Sequence, residues 1–514
     1  MPNTGSPPAL VSRSTLLLLA VLLAVGVAGQ AVSPTVADVS WLIELAEKSL
    51  AGQRLYVDIV ETNPPMSVFL YMPAVLIEHL TGIRAEWNQI AITFAAIATS
   101  LWISALIMRR TGRADMVERF LVAGMLALAI LPTMVFAQRE HLAVIALLPS
   151  LAVLVARAER RSVDLPLALV AGLAAGLAAT IKPHFAVAVI GPAVAVAIRL
   201  RSARSLFAIE HLVAVAVVAG YAALVVVAFP RYFSDVLPVV NDTYRLARRP
   251  LFELALHPQM LMVVGIGVST LLLAGEERRS PRIVVPFLAS LGFLFAFFEQ
   301  GKGWHYHLFP AAAVAFMLFY AEAMPRLQTV LAGPGGGRLA GLAAGGLGLA
   351  GLIASMSYFT FANRTTLPLV AAIERLGPHP KVLAVSFYLS IGHPLTRAVG
   401  GTWVGTYCSQ WISDAALFRS LQPETDAATR ARMAEWIAKD HATIARDIRI
   451  GQPDVILADR LGYDWDETVK TTPGMAELMA GYAKTADVDG VDLLVRRDLL
   501  HGPATPVAAA GEAP

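Results

Sequence analysis

The residues able to do chemistry are acids and bases gathered in a few short stretches. Asp58-Ile-Val-Glu61-Thr-Asn63-Pro64-Pro65 sets two carboxylates ahead of a double proline, and the segment before it adds Asp38, Glu44 and Glu47. Two successive prolines end any preceding helix and fix the angle at which the next begins. Further along come Gln138-Arg139-Glu140-His141, Lys182-Pro183-His184 and Gln300-Gly301-Lys302-Gly303-Trp304-His305-Tyr306-His307. The stretch from Pro230 to Pro258 carries Arg231, Asp235, Asp242, Arg245, Arg248 and Arg249. A carboxylate within reach of a hydroxyl acts as a general base, and Lys and Arg hold phosphate-like anions. Cys408 is the only cysteine, which excludes an internal disulfide and a multi-cysteine metal site.

The elements that must position these groups are membrane spans. Of 514 residues, 56% are hydrophobic and only 15% charged, and the mean hydropathy is +0.61. A soluble chain of this length would lack the charge to cover its surface. The net charge of +3 does not point to nucleic acid, because many basic residues sit in short loops between apolar runs. Runs near the ~20 residues that cross a bilayer give about eleven spans. They are Ser14–Val32, Ile90–Met108, Phe120–Phe136, Leu142–Ala156, Leu165–Ile181, Phe185–Leu200, Leu212–Phe229, Met260–Ala274, Ile283–Phe298, Leu308–Tyr320 and Leu339–Phe361. Met66–Leu80, interrupted by Pro73, Glu78 and His79, is expected to lie at the interface.

With that helix left out of the count, four basic loops fall on one side: Arg109–Arg119, Arg157–Arg161, Arg199–Arg204 and Arg278–Arg282. The positive-inside rule makes that side cytoplasmic and places every acid- and histidine-bearing stretch above on the outer face. Span interiors hold few ionisable groups, unlike an ion-coupled transporter with charges near the midplane. The run after Arg13 fits a cleavable signal peptide or an uncleaved first span, and its length favours the span. Gly333–Gly337 reads as a flexible cytoplasmic linker. Gly172-xxx-Gly176 and Gly341-xxx-Gly345 read as close helix packing.

From Asn363 the chain becomes charge-bearing and soluble in character. Val382–Ser386, Val455–Ala458 and Val491–Val495 read as buried strands, with a helix over Ala427–Arg446. Thr402–Trp411 is aromatic-rich; it either faces the membrane domain or an acceptor or packs in the core, and core packing is its simplest use. The expected molecule is an α-helical polytopic membrane protein of about eleven transmembrane helices. It has an interfacial-helix first outer loop and a small C-terminal α/β outer domain. Residues 1–361 form the membrane domain, 362–502 the outer-face α/β domain, and 503–514 a disordered tail.

This order of features resembles the polytopic C-type glycosyltransferases that use polyprenyl-phosphate sugars, such as the aminoarabinose transferases and the protein O-mannosyltransferases. That family has a first outer loop with an acid at its start, then interfacial helices, then a Pro-Pro entry. Here these correspond to Asp38, Val39–Leu50 and Asn63-Pro64-Pro65. A second acid after the third span corresponds to Glu140, and a Gly-rich span ending in lysine to Gly172–Lys182. The outer soluble domain corresponds to Asn363–Pro514. The family's second acid is often Asp; Glu140 between Arg139 and His141 departs from that and argues against a metal there.

The resemblance implies a polyprenyl-phosphate sugar donor, a glycan or lipid acceptor in the cell envelope, and a multi-pass location in a bacterial inner membrane with the catalytic face periplasmic. Besides the lipid bilayer it implies no further partner, and no nucleic acid. It assigns no certain cofactor and no metal ligand, though a divalent cation is compatible with it. On this reading the catalytic candidates are Asp38, Asp58 and Glu140, with Asp38 the first choice for the base and Asp58 the second. Lys182, His184, Arg245, Arg248, Arg249 and Lys302 are the candidates for holding phosphate. Glu61, Asn63, His141, His305 and His307 complete the substrate-binding set.

Each has a plainer alternative. Asp38 caps a helix beginning at Val39, Asp58 and Glu61 are solvated loop acids, and Glu140 pairs with Arg139 or Lys182. Lys182 snorkels from a span end, Arg245–Arg249 bind lipid headgroups, and His305 and His307, a His-x-His pair that with Glu140 or His141 has the ligand types for a metal, more simply hydrogen-bond to backbone or headgroups. Two other functions use the same architecture: a lipid or glycan flippase, which needs no base, and a non-catalytic assembly subunit.

Overall fold

The computed structural model describes residues 11–33, 35–245, 248–332, 367–501 and the isolated positions 342, 343, 346 and 350. The chain divides into two compact units. The first comprises Met1–Tyr56, Thr62–Leu237 and Ala247–Asn363; the second comprises Val57–Glu61, Pro238–Leu246 and Arg364–Pro514.

The first unit is helical. Among the described residues, eight helices are long and apolar enough to cross a membrane: Arg13–Val32, Ala85–Arg110, Arg139–Ala158, Pro183–Leu200, Ile209–Ala228, Pro258–Arg279, Pro281–Gln300 and His305–Leu327. Three of the eleven expected spans are not among them. Leu165–Ile181 is helical but shorter. The expected span Phe120–Phe136 is broken: helix Val117–Met125 widens over Leu126–Ile130 and tightens into a single turn at Thr133–Val135. Pro132 accounts for the break, since it cannot donate the hydrogen bond that an uninterrupted helix needs there. The expected span Leu339–Phe361 lies almost wholly outside the described residues, as do the Gly333–Gly337 linker, most of Gly341-xxx-Gly345 and the tail 503–514.

Gly172 and Gly176 act in packing. A Cβ at Gly172 would lie 2.5 Å from the Glu210 carbonyl oxygen, and one at Gly176 would lie 2.6 Å from Val217 Cβ. Helix Leu165–Ile181 therefore lies close against Ile209–Ala228, as small residues permit. The two ends of the spans differ in chemistry. At one end basic residues are paired: Arg157 with Glu210 at 3.0 Å, Arg113 with Glu159 at 3.7 Å and Arg282 with Glu322 at 3.6 Å. Helix Arg139–Ala158 begins at the other end, about 30 Å away by its 20 residues.

Asp38 sits in the first turn of helix Ala37–Leu50, whose N-cap is Val36, so it does not cap that helix. The helix is buried on all sides from Val39 to Ala46. The double proline then opens the short helix Met66–Phe69, followed by Met72–Thr81. The expected helix over Met66–Leu80 is thus present as a short apolar helical segment, Met66–Thr81, with a break at Leu70–Tyr71.

The second unit is α/β. Strands β1 (Lys381–Val385), β2 (Thr402–Trp403), β3 (Val455–Asp459), β4 (Tyr482–Val488) and β5 (Val491–Arg496) form one sheet in the order β2-β1-β3-β5-β4. β1 runs parallel to β2 and β3, pairing Leu383 with Ile456, while β5 runs antiparallel to both β3 and β4. Asp489 and Gly490 both have positive φ and close the β4–β5 hairpin, the backbone of the two-residue turn that matches strand twist. Val382, Val385, Val455, Ile456 and Leu457 are wholly buried, so the apolar runs expected as strands are the core of the sheet. Trp403 is buried too, and core packing is what the aromatic segment provides. Helix Ala427–Gly451 is capped by Asp426, whose side chain accepts from Thr429 N at 2.7 Å.

Candidate active site

Helix Leu165–Ile181 ends at Lys182 because the next residue is Pro183. Steric conflict with the proline ring drives the preceding residue to extended backbone, and Lys182 adopts φ −146°, ψ 125°. Its side chain is buried rather than snorkelling, and donates to Glu140 Oε1 at 2.5 Å and to Gln300 Oε1 at 2.6 Å. Gln300 donates in turn from Nε2 to the Ala296 carbonyl at 3.2 Å, which sets its amide orientation. An ammonium has three N–H groups; these two bonds use two of them.

Glu140 lies in the first turn of helix Arg139–Ala158, where the helix dipole favours an acid. It is wholly buried: Oε1 takes Lys182 and lies 3.8 Å from His307 Nε2, while Oε2 has no hydrogen-bond partner. His141 is likewise enclosed. Its Nδ1 accepts from Ala137 N at 3.1 Å, and its ring lies between Phe136 and Phe309. That bond closes the irregular turn, with φ 61° at Ala137, which delivers Arg139 and Glu140 to the site. Arg139 reaches Asp38 Oδ1 at 3.4 Å. Among these charges Asp38 is the most accessible, with a side chain 25% exposed against 8% for Lys182 and 0% for Glu140.

Glu299, which sequence reasoning passed over, joins two of the other candidates. Its carboxylate lies 3.5 Å from Arg248 and 3.3 Å from His184 Nδ1. Gly301 has φ 68°, and a Cβ there would lie 2.9 Å from Arg248 Cγ, while Arg249 N donates to the Gly301 carbonyl at 2.8 Å. The glycines around Lys302 thus let Arg248 and Arg249 lie against the loop. Lys302 itself is buried. Tyr306 sits 6.0 Å below Lys182 and 4.4 Å from the His307 ring. His305 begins the next helix and packs against Tyr306.

The first unit therefore brings together Asp38, Glu140, Lys182, His184, Arg248, Arg249, Lys302, His305 and His307. Asn63 belongs to the same unit, its carbonyl accepting from Tyr56 Oη at 2.6 Å. Asp58, Glu61 and Arg245 fall in the second unit. There Asp58 is exposed and Glu61 buried. The backbone of Val60 donates to Thr406 O at 3.3 Å, and Arg245 reaches Asn241 Oδ1 at 3.3 Å. The basic run Arg245–Arg249 is divided between the units. Among the described residues no three His, Cys, Asp or Glu side chains are placed to hold a metal ion together. Glu299 was missed, and Gln300 was quoted without a role, because the two follow directly on an apolar run; an acid and an amide together at a span end are the signal that marks them.

Apolar spans with a charged cluster at one end, together with a mixed α/β unit, make up the fold. The structure is similar to ArnT from Cupriavidus metallidurans bound to undecaprenyl phosphate, with a TM-score of 0.57 at 14% identity over 96% of this chain and 100% of that one. It is similar to the apo state of that protein with a TM-score of 0.57 at 13% identity over the same shares. A looser likeness, TM-score 0.47 at 10% identity over 92% of this chain and 72% of the other, is to the Archaeoglobus fulgidus oligosaccharyltransferase tethered with an acceptor peptide. No family model matches the sequence, and no curated protein matches it. At these identities the likeness is one of fold.

Proposed function

We propose that the protein is a membrane glycosyltransferase that moves a monosaccharide from a polyprenyl-phosphate donor to an envelope glycan or lipid. The observation that carries this reading is the Asp38–Arg139 and Glu140–Lys182–Gln300 cluster at one end of the spans of this fold. The basic loops gather at the other end, which the positive-inside rule assigns to the cytoplasm. The cluster then faces the outer side of a bacterial inner membrane. A lipid-linked donor suits that side.

In the reaction the acceptor hydroxyl loses its proton to Asp38 as its oxygen attacks the anomeric carbon. The bond from that carbon to the phosphate oxygen breaks, and the lipid phosphate leaves with the electron pair. Asp38 is the most accessible carboxylate of the cluster, and its pairing with Arg139 orients it. Glu140, sealed from solvent, positions Lys182 rather than meeting the acceptor. The third N–H of Lys182, with Lys302, Arg248 and Arg249, stabilises the charge growing on the leaving phosphate. Asp58 is the alternative base.

Binding of undecaprenyl phosphate, read by native mass spectrometry, tests the placement. Lys302→Met should weaken it about 10- to 150-fold, the loss of one hydrogen bond to a charged group, and the double change Arg248→Met/Arg249→Met by at least as much. Lys182→Met combined with Glu140→Gln should do the same while leaving the net charge of the site unchanged. Undiminished binding by all three would mean that the phosphate is held elsewhere.

A further inference from the structure

The second unit contains a cleft that the proposed transfer chemistry does not use. In the sheet, β1 has β2 on one side and β3 on the other, so the connections leaving β1 and β3 part in opposite directions. Such a switch point opens a crevice at the carboxyl ends of the two strands, where open α/β sheets bind ligands. Ser386, just past β1, donates from Oγ to Oδ2 of Asp459, the last residue of β3, at 2.6 Å. Beside this link lies a cleft of about 680 Å³, within the range of small-molecule sites.

Its lining is of two kinds. Phe387 and Tyr463, packed edge to face at 5.1 Å, form an apolar wall with Leu417 and Ile437. His441, Asp464, Glu467 and Arg460 supply hydrogen-bonding groups around it. An anion does not suit this set. Two carboxylates face one arginine, whose guanidinium is already engaged by Asp466 and, at 3.9 Å, by Asp492. The backbone N–H groups of Leu461 and Gly462 donate to Asp459 Oδ1 at 3.1 and 3.0 Å, so these two are turned to the protein's own carboxylate rather than offered to a phosphate. A phosphorylated ligand or a nucleotide is thereby disfavoured.

A neutral saccharide suits it. One face of a sugar ring is apolar C–H surface that packs on aromatic and aliphatic walls. Its hydroxyl rim needs donors and acceptors together, and carboxylate, imidazole and guanidinium groups make the stronger of such bonds. We infer that the cleft between the ends of β1 and β3, walled by Phe387 and Tyr463 and edged by His441, Asp464 and Glu467, is a binding site for an uncharged glycan. This rests on the glycosyltransferase reading only for its biological sense, as a place to hold a glycan acceptor. Its chemistry stands apart from that reading.

Saturation-transfer NMR on the full chain in nanodiscs tests it without any transfer reaction. The probes are the methyl glycosides of mannose, galactose, glucose and arabinose and a trisaccharide of each. At least one should receive saturation from the protein. Ile437→Trp, which fills the cleft from the helix face, should reduce that signal at least tenfold. His441→Ala and Glu467→Gln, changes at positions outside the core, should each reduce it at least fivefold. Absence of saturation on all eight probes would overturn the inference and leave the transfer reading intact. So would a signal untouched by Ile437→Trp and by both rim changes. Asp38→Asn should bind the probes as the unchanged protein does, whatever becomes of its transfer activity.

Discussion

Removing the charge of Lys182 tests how far the site depends on a buried ion pair. Lys182 and Glu140 have side chains 8% and 0% exposed and lie 2.5 Å apart. At an effective dielectric of about 20 the gross attraction at that distance is about 6 to 7 kcal/mol. Much of it offsets the desolvation of two charges, so the pair adds little net stability. Breaking it is another matter, because a carboxylate with Oε2 already lacking a partner would be left buried with only the His307 ring, 3.8 Å away, beside it. Lys182→Met should therefore lower stability by about 3 to 5 kcal/mol. Lys182→Met with Glu140→Gln should recover most of that loss, since neither charge remains. Equilibrium unfolding in mixed micelles for the four members of the cycle gives the coupling directly. Single effects that add to within about 0.5 kcal/mol would show that the two groups do not act as a pair, and would refute the reasoning.

Other outcomes follow from particular residues. Asp38→Asn should cut transfer at least ~100-fold, the low end of general-base contributions, while undecaprenyl phosphate binding is kept; if Asp58→Asn shows the loss instead, the base is Asp58. Gly301→Ala should cost about 1 kcal/mol or more and disturb Arg248, because φ is 68° and the new Cβ would press on Arg248 Cγ; thermal unfolding reads the first effect and undecaprenyl phosphate affinity the second. In the second unit, burial pushes the Asp440 carboxyl up to about 7, although Ser413 donates to it from Oγ at 2.5 Å. The folded unit holds a proton that the unfolded chain releases near its ordinary value of 3.8. Its contribution is thus fully present below that value and lost as pH rises through about 7, a change of at most about 4 kcal/mol. Asp440→Asn should flatten that slope, as read from opening free energies of helix Ala427–Gly451 by hydrogen exchange. With Cys408 replaced, a cysteine at Gln300 should react with an impermeant thiol reagent in intact cells and one at Arg110 should not; the reverse would invert the assigned orientation.

Much of this was legible in the residues, and the exceptions have identifiable causes. Composition and apolar run length gave the membrane class, because both follow from the bilayer's demand for long uncharged segments. Run length alone does not register a proline such as Pro132, which leaves the segment apolar while breaking its helix. Strands β1, β3 and β5 showed as short β-branched runs because they are buried on both faces. Acids and bases of the site were visible because charge at a span end is costly to keep. Their partners were not, because pairing joins residues far apart in the chain: Glu140 with Lys182, Arg139 with Asp38, and Glu299 with Arg248 and His184. The neighbours Glu61 and Asn63 fall in different units, a division that local sequence does not mark.

The central claim is sugar transfer from a lipid monophosphate, and its most direct test is donor turnover. The purified protein in nanodiscs is given a panel of undecaprenyl-phosphate monosaccharides with an envelope glycan and lipid extract. Free undecaprenyl phosphate and glycosylated product are then followed by mass spectrometry. At least one donor should release undecaprenyl phosphate with an equal gain of glycosylated acceptor, and Asp38→Asn should reduce both at least ~100-fold. Intact donors throughout, with the same lipids crossing the bilayer faster in the protein's presence and no effect of Asp38→Asn, would contradict the central claim in favour of a flippase.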